Sequence, residues 1–304
     1  MITPRPLPSL DFTSKSTSDF CRHFASFYGI NLNDAAYHLG TFPSRGLSLA
    51  GHIFSPAQSR ETVLLVHGYY DHTGTLRHLI NSLLRENYTV ASLDLPGHGL
   101  SEGKAADIDS FSRYGKAVTD FLSLCRESLP PPVHQIGHST GCSALLEHFR
   151  GEPKLFSEGK VILIAPLIRP VLWKTSNAAY LIAGKAFPRL PRLFVNPTHD
   201  PLFVPFQKKD PLQARTFPPS WFKALRNWNR TLKSGGIIDI DASVLQGTED
   251  TVVDWRYNIR FLEKKLLKCR VEFVKGGGHQ LLNEIGPFRG EALKSISRLL
   301  NSQI

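Results

Sequence analysis

The sequence alternates short apolar runs with segments whose apolar residues recur at helical spacing. Residues 62–66 are all β-branched or aliphatic, and between Leu76 and Leu84 the apolar residues recur every three or four positions. Such runs are typical of strands buried on both faces, and the longer spacing predicts an amphipathic helix. Further apolar runs occur at 88–93, 133–136, 161–164, 243–246 and 271–274. This alternation predicts an α/β protein with a mostly parallel sheet and helices on both faces.

The alternation stops between residues 166 and 235. This segment, here called the insertion, contains twelve basic and two acidic residues, so it carries a net charge of +10 and the rest of the chain is neutral. It also contains ten of the 21 prolines and three of the four tryptophans. A composition so different from its surroundings favours a separate unit over a continuation of the sheet. We therefore expect a mainly helical cap at 166–235 and a core made of residues 1–165 and 236–304.

Composition and cysteine spacing disfavour several classes of protein. The four cysteines form no Cys-x-x-Cys pair, which argues against a zinc ribbon, a thioredoxin-type redox site and a disulfide framework. No apolar run approaches the roughly 18 residues of a membrane-spanning helix. The first ten residues contain three prolines and lack the apolar core of a secretory signal. We therefore expect a globular, cytoplasmic protein with reduced thiols.

The pattern Gly-x-Ser-x-Gly occurs twice. At 137–141 it lies directly between a predicted strand and a predicted helix, where its glycines allow the sharp turn that presents a serine nucleophile. At 99–103 the same pattern leads into polar residues and no helix follows it. We therefore assign the nucleophile to Ser139 and not to Ser101.

A serine nucleophile requires a histidine base and a carboxylate that orients the histidine. Asp250 and His279 each lie just past a predicted strand, and His279 also follows three glycines. The carboxyl ends of parallel strands lie at one edge of a sheet, so both side chains are expected beside Ser139. Asp254 and Glu249 remain alternatives for the carboxylate.

Negative charge that develops on a substrate carbonyl oxygen requires backbone N–H donors. Thr140, directly after the nucleophile, would supply one, and Tyr69, in the loop after the first buried strand, would supply the other. The same loop contains His67, Asp71 and His72, but this spacing lacks the further ligands of a zinc site. We therefore expect no metal.

These motifs resemble the α/β-hydrolase superfamily, and most of all its monoacylglycerol lipase and lysophospholipase-like branch. The residues that carry the resemblance are 63–68, 94–101, 137–141, Gly247 with Asp250, and His279 with Asn283 and Glu284. The resemblance implies an eight-stranded sheet, a cap after the sixth strand and ester hydrolysis without a cofactor. It also implies that Ser139, Asp250 and His279 form a catalytic triad, with Tyr69 and Thr140 as oxyanion donors. Tyr69 and Tyr70 stand where relatives often have small residues.

The expected function is that of a serine hydrolase acting on carboxylic esters of lipid type, a monoacylglycerol or a lysophospholipid. Two alternatives stay open on the same fold. A proline-type aminopeptidase would need an acidic recess for the substrate amine, which the basic insertion disfavours, and a non-catalytic binding protein is possible because fold does not dictate function. The segment Gly97-x-Gly99 precedes no helix, which disfavours a nucleotide-binding oxidoreductase.

The net charge of +10 on the insertion suggests that this segment binds a negatively charged surface or ligand. Its positive charge and its aromatic residues predict contact with an anionic membrane surface or with an acidic substrate head group. The alternative is that the aromatic side chains pack internally and the charges are solvated. The prolines interrupt any long recognition helix, so no nucleic-acid partner is expected.

Overall fold

The strands of the protein are given by a computed structural model that describes residues 6–12, 17–151, 159–183 and 187–302. They are β1 (Ala36–Ser44), β2 (Leu47–Ser55), β3 (Thr62–Val66), β4 (Thr89–Leu93), β5 (Val133–His138), β6 (Val161–Ile164), β7 (Leu190–Pro191), β8 (Thr216–Phe217), β9 (Ile238–Gly247) and β10 (Leu266–Val274).

Eight of these strands form one sheet in the order β1-β2-β4-β3-β5-β6-β9-β10. The six strands from β4 to β10 in this order are mutually parallel, whereas β2 runs antiparallel to both β1 and β4. The prediction of a mostly parallel eight-stranded sheet is therefore confirmed. The chain leaves β3 toward β4 on one side and leaves β5 toward β6 on the other, so a crevice is expected between the carboxyl ends of β3 and β5.

Helices cover both faces of the sheet. They are α1 (Asp19–Tyr28), α2 (Arg77–Arg85), α3 (Phe111–Ser128), α4 (Thr140–Gly151), α5 (Trp173–Ala183), α6 (Phe203–Lys209), α7 (Pro219–Ser234), α8 (Trp255–Lys265) and α9 (Gly286–Asn301). Val63 and Leu65 pack in a cluster with α1, α2 and α9, whereas Leu64 and Val66 pack in a second cluster with α3, α4, α7 and α8. Successive side chains of a strand point to opposite faces, so the aliphatic run of β3 is buried on both sides.

Several elements differ from the prediction, among them β10, which begins at Leu266 and not at Val271, and two further differences have a common cause. Strand β9 begins at Ile238, five residues before the predicted start, because Asp239 and Asp241 alternate with buried residues and interrupt the apolar pattern. Helix α1 was not predicted, although it begins with an N-cap at Ser18 and ends at Gly29 in a left-handed conformation. Both differences arise where the apolar pattern is mixed with charged or polar residues.

The insertion lies between β6 and β9, and its described residues include α5, α6 and α7. Helix α7 buries Trp221 and Trp228 in the same cluster as α3 and α4. Helix α5 instead exposes Leu181 and Ile182, which are 68% and 86% accessible. Among the helices of the described ranges, none is long and apolar enough to cross a bilayer.

Candidate active site

Ser139 lies in the sharp turn between β5 and α4. Its φ of +52° falls in the left-handed region, which residues with a side chain rarely adopt. The turn is held by the Ser139 N–H, which donates to the carbonyl oxygen of Ile164 at 2.9 Å. Gly141 lets α4 approach β3, since a Cβ at this position would lie 2.0 Å from the carbonyl oxygen of Val66. The sequence thus presents the serine at the carboxyl edge of the sheet.

The structure brings the three predicted residues together. His279 Nε2 lies 3.1 Å from Ser139 Oγ, and His279 Nδ1 lies 2.8 Å from Asp250 Oδ2. All three residues are buried, and they follow β5, β9 and β10. A carboxylate can only accept, so the shared proton is assigned to Nδ1, which leaves Nε2 free to accept the serine proton.

Asp250 is held in its ionised form. Its Oδ1 accepts the backbone N–H groups of Val252 and Val253 at 2.8 and 3.0 Å, and its Oδ2 also accepts from Gln246 at 3.1 Å. Burial would raise the pKa of Asp250, but the imidazole of His279 and the two backbone donors outweigh burial and lower the pKa from its ordinary value. The carboxylate can therefore stabilise a protonated imidazole.

The two alternative carboxylates lie elsewhere. Asp254 caps the start of α8 and pairs with Arg169 at 3.0 Å. Glu249 lies 3.4 Å from His199 Nε2. Within the described part of the chain, the carboxylate bonded to His279 is that of the predicted aspartate.

The two predicted oxyanion donors line one cavity with the serine. Thr140 is the first residue of α4, and Tyr69 lies in the loop after β3. Among the described residues, neither backbone N–H has a hydrogen-bond acceptor. Free N–H groups at a helix N-terminus favour negative charge. Both positions therefore meet the requirement for oxyanion donors, and that role stays a prediction.

Tyr69 and Tyr70 join this loop to the insertion. The Tyr69 ring stacks on Trp221 with 3.9 Å between centroids, and its hydroxyl donates to the carbonyl oxygen of Ala106 at 2.7 Å. Tyr70 has a φ of +64°, and the guanidinium of Arg192 lies 3.9 Å from its ring centroid. These contacts account for the large side chains at the two positions, because both rings hold the loop against the insertion.

A second buried carboxylate supports the loop that carries His279. Asp71 Oδ2 accepts from Gln280 Nε2 at 3.0 Å and lies 3.6 Å from His138 Nδ1. His138 Nε2 in turn donates to the carbonyl oxygen of His279 at 3.1 Å. Burial would raise the pKa of Asp71, but His138 and Gln280 outweigh burial and lower it. In the sequence, Asp71 stands out only as a metal ligand, a role that the spacing disfavours, so its support of the histidine loop is not predicted.

The insertion also touches the histidine loop. The carbonyl oxygen of Pro197 accepts the backbone N–H groups of His279 and Gln280 at 2.9 and 3.1 Å. Two residues further on, His199 Nδ1 lies 3.0 Å from the buried Glu284 Oε1. The sequence did not predict these contacts, because they join segments more than 80 residues apart.

Asp210 anchors the insertion to the core. Its carboxylate accepts from the Tyr28 hydroxyl at 2.8 Å and lies 2.8 Å from His72 Nε2. Burial would lower the pKa of His72, but Asp210 outweighs burial and raises it. Of the three residues considered as metal ligands, His72 is thus bound to Asp210, while His67 accepts a backbone N–H and Asp71 binds Gln280. No group of side chains suited to a metal ion lies in the described ranges.

Ser139 and His279 line a cavity of about 850 Å³. Its wall is mainly apolar and comes largely from the insertion. The aromatic and branched aliphatic side chains supplied by the insertion are Leu167, Tyr180, Phe187, Leu190, Leu193, Val195, Phe217, Trp221 and Phe222. Asp71 and Arg192 are the two fully charged groups among the described lining residues. The site can therefore take a largely apolar ligand.

The family of the chain follows from a comparison with protein-family models. The model described as serine aminopeptidase S33 matches residues 57–286, a range that includes all three site residues. The chain belongs to this family. This S33-family hydrolase is 24% identical over 253 residues to the monoglyceride lipase homolog of monkeypox virus, with 80% of the chain and 90% of the relative covered.

Solved structures share the fold of this S33-family hydrolase. A soluble variant of monoglyceride lipase from Saccharomyces cerevisiae superposes with a TM-score of 0.72 at 19% identity, covering 86% of this chain and 94% of that one. The monoacylglycerol lipase of Paleococcus ferrophilus superposes with a TM-score of 0.69 at 22% identity, covering 83% and 98%. The predicted α/β-hydrolase fold is thereby confirmed, and the family match together with the monoglyceride lipase relatives supports the predicted monoacylglycerol lipase-like branch.

Proposed function

We propose that the protein is a serine hydrolase that cleaves carboxylic esters. The observation that carries this proposal is the hydrogen-bonded series Ser139, His279 and Asp250 in the wall of an apolar cavity. A hydroxyl, an imidazole and an ionised carboxylate in this order supply a nucleophile, a general base and the group that orients the base. Membership of a hydrolase family supports the same reaction class.

The proposed reaction has two stages. Ser139 Oγ attacks the ester carbonyl carbon while His279 Nε2 takes the hydroxyl proton, and the N–H groups of Thr140 and Tyr69 stabilise the oxyanion. Collapse of this intermediate breaks the ester bond, and the leaving alcohol takes the proton from His279. A water molecule, deprotonated by His279, then attacks the acyl carbon, which releases the acid and restores Ser139. The reaction requires no cofactor.

The substrate that we propose is a lipid ester with one acyl chain, a monoacylglycerol or a lysophospholipid. The cavity of about 850 Å³ has a mainly apolar wall. Each methylene buried there contributes about 0.8 kcal/mol, so binding energy increases with chain length. The relatives named as monoglyceride or monoacylglycerol lipases support the same choice.

Asp71 favours a second candidate function, the release of N-terminal amino acids. Its Oδ1 is buried without a hydrogen-bond partner among the described residues, and Asp71 lines the cavity. A Cβ on Gly68 would lie 3.0 Å from Asp71 Oδ2 and 3.3 Å from Ser139 Cβ, so the carboxylate is close to the nucleophile. An ionised carboxylate there would bind a substrate ammonium. The positive charge of Arg192 in the same wall would repel an ammonium group. Aminopeptidase activity is therefore the second candidate and not the first.

A substrate panel separates these functions. The panel contains p-nitrophenyl esters of increasing chain length, monoacylglycerols, lysophospholipids and aminoacyl anilides, each tested on the parent protein and on Ser139→Ala. We expect hydrolysis of the esters by the parent alone. Turnover of the anilides alone would support the aminopeptidase. Absence of turnover, together with absence of labelling by a fluorophosphonate, would leave a non-catalytic binding protein.

We also propose that the insertion contacts anionic membrane surfaces. Nine of the large apolar side chains that the structure exposes lie between residues 171 and 202. They are Val171, Leu172, Leu181, Ile182, Phe187, Leu190, Leu193, Val195 and Leu202. Trp221 and Trp228, which the sequence suggested for this contact, are instead buried in the main core. Exposed apolar side chains in a segment that also carries Lys174, Arg189 and Arg192 therefore support the proposal.

Vesicle binding tests the membrane contact. Co-sedimentation with phosphatidylglycerol and phosphatidylcholine vesicles at low and high salt is compared for the parent and for Leu181→Ser with Ile182→Ser. We expect salt-sensitive binding to phosphatidylglycerol that the double variant weakens, because surface charge is screened over about 10 Å at 0.1 M salt. Equal binding to both vesicles, or binding to neither, would contradict the proposal.

The cytoplasmic location stays a prediction. The division into a core of residues 1–165 and 236–304 and a cap of residues 166–235 also stays a prediction.

A further inference from the structure

Arg192 is a cation that the insertion places in the wall of the cavity. It is half-buried, and its guanidinium carbon lies 3.9 Å from the ring centroid of Tyr70 and 4.4 Å from that of Phe194. Aromatic rings attract a guanidinium electrostatically and restrict its plane. The position of the charge is therefore fixed before any ligand binds.

The hydrogen bonds of Arg192 go to neutral groups. Its Nη1 donates to Gln213 Oε1 at 2.6 Å and to the carbonyl oxygen of Ala214 at 3.2 Å, and its Nη2 donates to Gln207 Oε1 at 3.2 Å. These contacts use three of the five N–H groups of the guanidinium. Within the described ranges, no carboxylate lies at ion-pair distance from it. Arg192 thus carries a charge in a mainly apolar wall without an ion-pair partner among the residues that the structure describes.

The surroundings of Arg192 are also positive. Arg189 and Arg215 flank it, and they donate to Thr216 Oγ1 at 2.8 Å and to the carbonyl oxygen of Asp210 at 3.4 Å. The carboxylate of Asp210 is occupied by its pair with His72. The acidic group that shares the cavity wall is Asp71, which lies against His138 and Gln280. An anion beside Arg192 would therefore meet more positive than negative charge.

We infer that Arg192 binds an anionic group of the substrate, a carboxylate or a phosphate, so that the enzyme prefers an ester with such a group to its neutral counterpart. This inference rests on the proposed ester hydrolysis. A guanidinium matches carboxylate and phosphate geometry through paired N–H donors. Because the plane of the guanidinium is already fixed, Arg192 loses less conformational entropy when it binds the anion.

Matched pairs of soluble substrates test this inference. One pair is 1-octanoylglycerol and 1-octanoylglycerol 3-phosphate, which differ by an anion on the alcohol side. The other pair is p-nitrophenyl hexanoate and the mono-p-nitrophenyl ester of adipic acid, which differ by a carboxylate on the acyl side. All are used as monomers, so that membrane binding does not contribute. The quantity compared is the ratio of kcat/KM for the anionic ester to kcat/KM for its neutral partner.

We expect Arg192→Gln to lower this ratio by roughly ten- to a hundredfold in one of the two pairs, which is the effect of losing a hydrogen bond between charged groups. The affected pair identifies the side of the substrate that carries the anion. Turnover of the neutral esters should fall less than turnover of the anionic esters. The ratio for Arg192→Lys should lie between those of the parent and of Arg192→Gln, because lysine keeps the charge but lacks the paired donors. Arg230→Gln, an exposed arginine on α7 outside the cavity wall, is the matched control for loss of one charge.

Three results would overturn the inference. The first is an equal loss for neutral and anionic esters with a lower melting temperature, which would make Arg192 a purely structural residue. The second is the same change of ratio in Arg230→Gln, which would assign the preference to overall charge. The third is an unchanged ratio in both pairs. If the parent hydrolyses no ester, calorimetric binding of both anionic esters, 1-octanoylglycerol 3-phosphate and the mono-p-nitrophenyl ester of adipic acid, to Ser139→Ala, with and without Arg192→Gln, still decides the inference independently of the proposed function.

Discussion

The segments 137–141 and 99–103 share the pattern Gly-x-Ser-x-Gly, but they place backbone strain on different residues. In the first segment the serine itself has a positive φ of +52°. In the second, the positive φ values of +54° and +122° belong to Gly99 and Gly103. Glycine adopts such angles without steric cost, so the second loop leaves Ser101 in a relaxed conformation. Strain on the serine therefore distinguishes the two loops although their patterns agree.

The two hydroxyls also differ in their partners. Ser101 Oγ donates to the carbonyl oxygen of Asp94 and accepts the Ala50 N–H at 2.8 Å. Among the described residues, the side-chain partner of Ser139 Oγ is His279 Nε2. A hydroxyl that holds two backbone groups stabilises a loop, whereas one that faces only a base is available to react. The comparison shows that a reactive serine is recognised by its surroundings and not by its flanking glycines.

The largest expected effect separates the two serines by activity. Ser139→Ala should reduce ester turnover by on the order of 10⁶, as removal of the nucleophile does in a well-studied serine hydrolase. Ser101→Ala should keep most of the activity, because its hydroxyl serves the backbone. The measurement is kcat of purified, folded variants on one p-nitrophenyl ester. Equal activity in the parent and in Ser139→Ala would show that Ser139 is not the nucleophile.

The next largest change in kcat is expected when the carboxylate that orients His279 is replaced. Asp250→Asn should lower kcat by about 10⁴, because an amide favours the wrong tautomer of His279. Asp254→Asn should leave kcat nearly unchanged and cost at most about 1 kcal/mol of stability through the cap of α8. Turnover and urea unfolding of both variants are measured together. The reverse order of kcat would move the acidic role to Asp254.

A smaller effect, on stability, should rank the two serines in the opposite order. Ser101→Ala leaves the buried N–H of Ala50 without its acceptor and should lower the free energy of unfolding by about 1–3 kcal/mol. Ser139→Ala removes no side-chain hydrogen bond to the backbone of the described residues and should change stability less. Urea denaturation of the two variants tests this. A larger loss in Ser139→Ala than in Ser101→Ala would refute the structural role assigned to the second loop.

The smallest effect is a pH dependence beside the second loop, where Gly99 lies against His72. The pKa of His72 is raised above 6.5, so its stabilising contribution is complete below that pH and is lost as pH rises through the raised value. The pKa of Asp210 is lowered below 3.8, so its contribution is complete above that pH and is lost as pH falls through the lowered value. The ion pair between His72 and Asp210 therefore contributes most to the stability of the fold between about pH 4 and 6.5.

His72→Gln tests this dependence. The difference in melting temperature between the parent and the variant should be largest near pH 6 and should shrink at higher pH, because the parent loses its ion pair. A difference that stays constant from pH 5 to 9 would show that the pair does not titrate in this range.

The fold and the proposed triad were predictable for a local reason. Ser139, Asp250 and His279 each follow an apolar run that forms a strand, and neighbouring parallel strands bring their carboxyl ends together. The roles of Asp210 and Pro197 were not predictable, because they depend on how an irregular, proline-rich segment packs onto distant parts of the chain. The paired tyrosines at 69 and 70 were the one visible signal, since large side chains in this loop require a surface to pack against.

The Pro197 carbonyl has a consequence for how such enzymes diverge. Because it accepts the backbone N–H groups of His279 and Gln280, a segment that shapes the cavity also supports the proposed base. A foreign segment exchanged for residues 166–235 would keep this support only if it placed a carbonyl oxygen at the same point. Single substitutions in the exposed stretch before Pro197 would instead change the cavity wall and leave both hydrogen bonds in place.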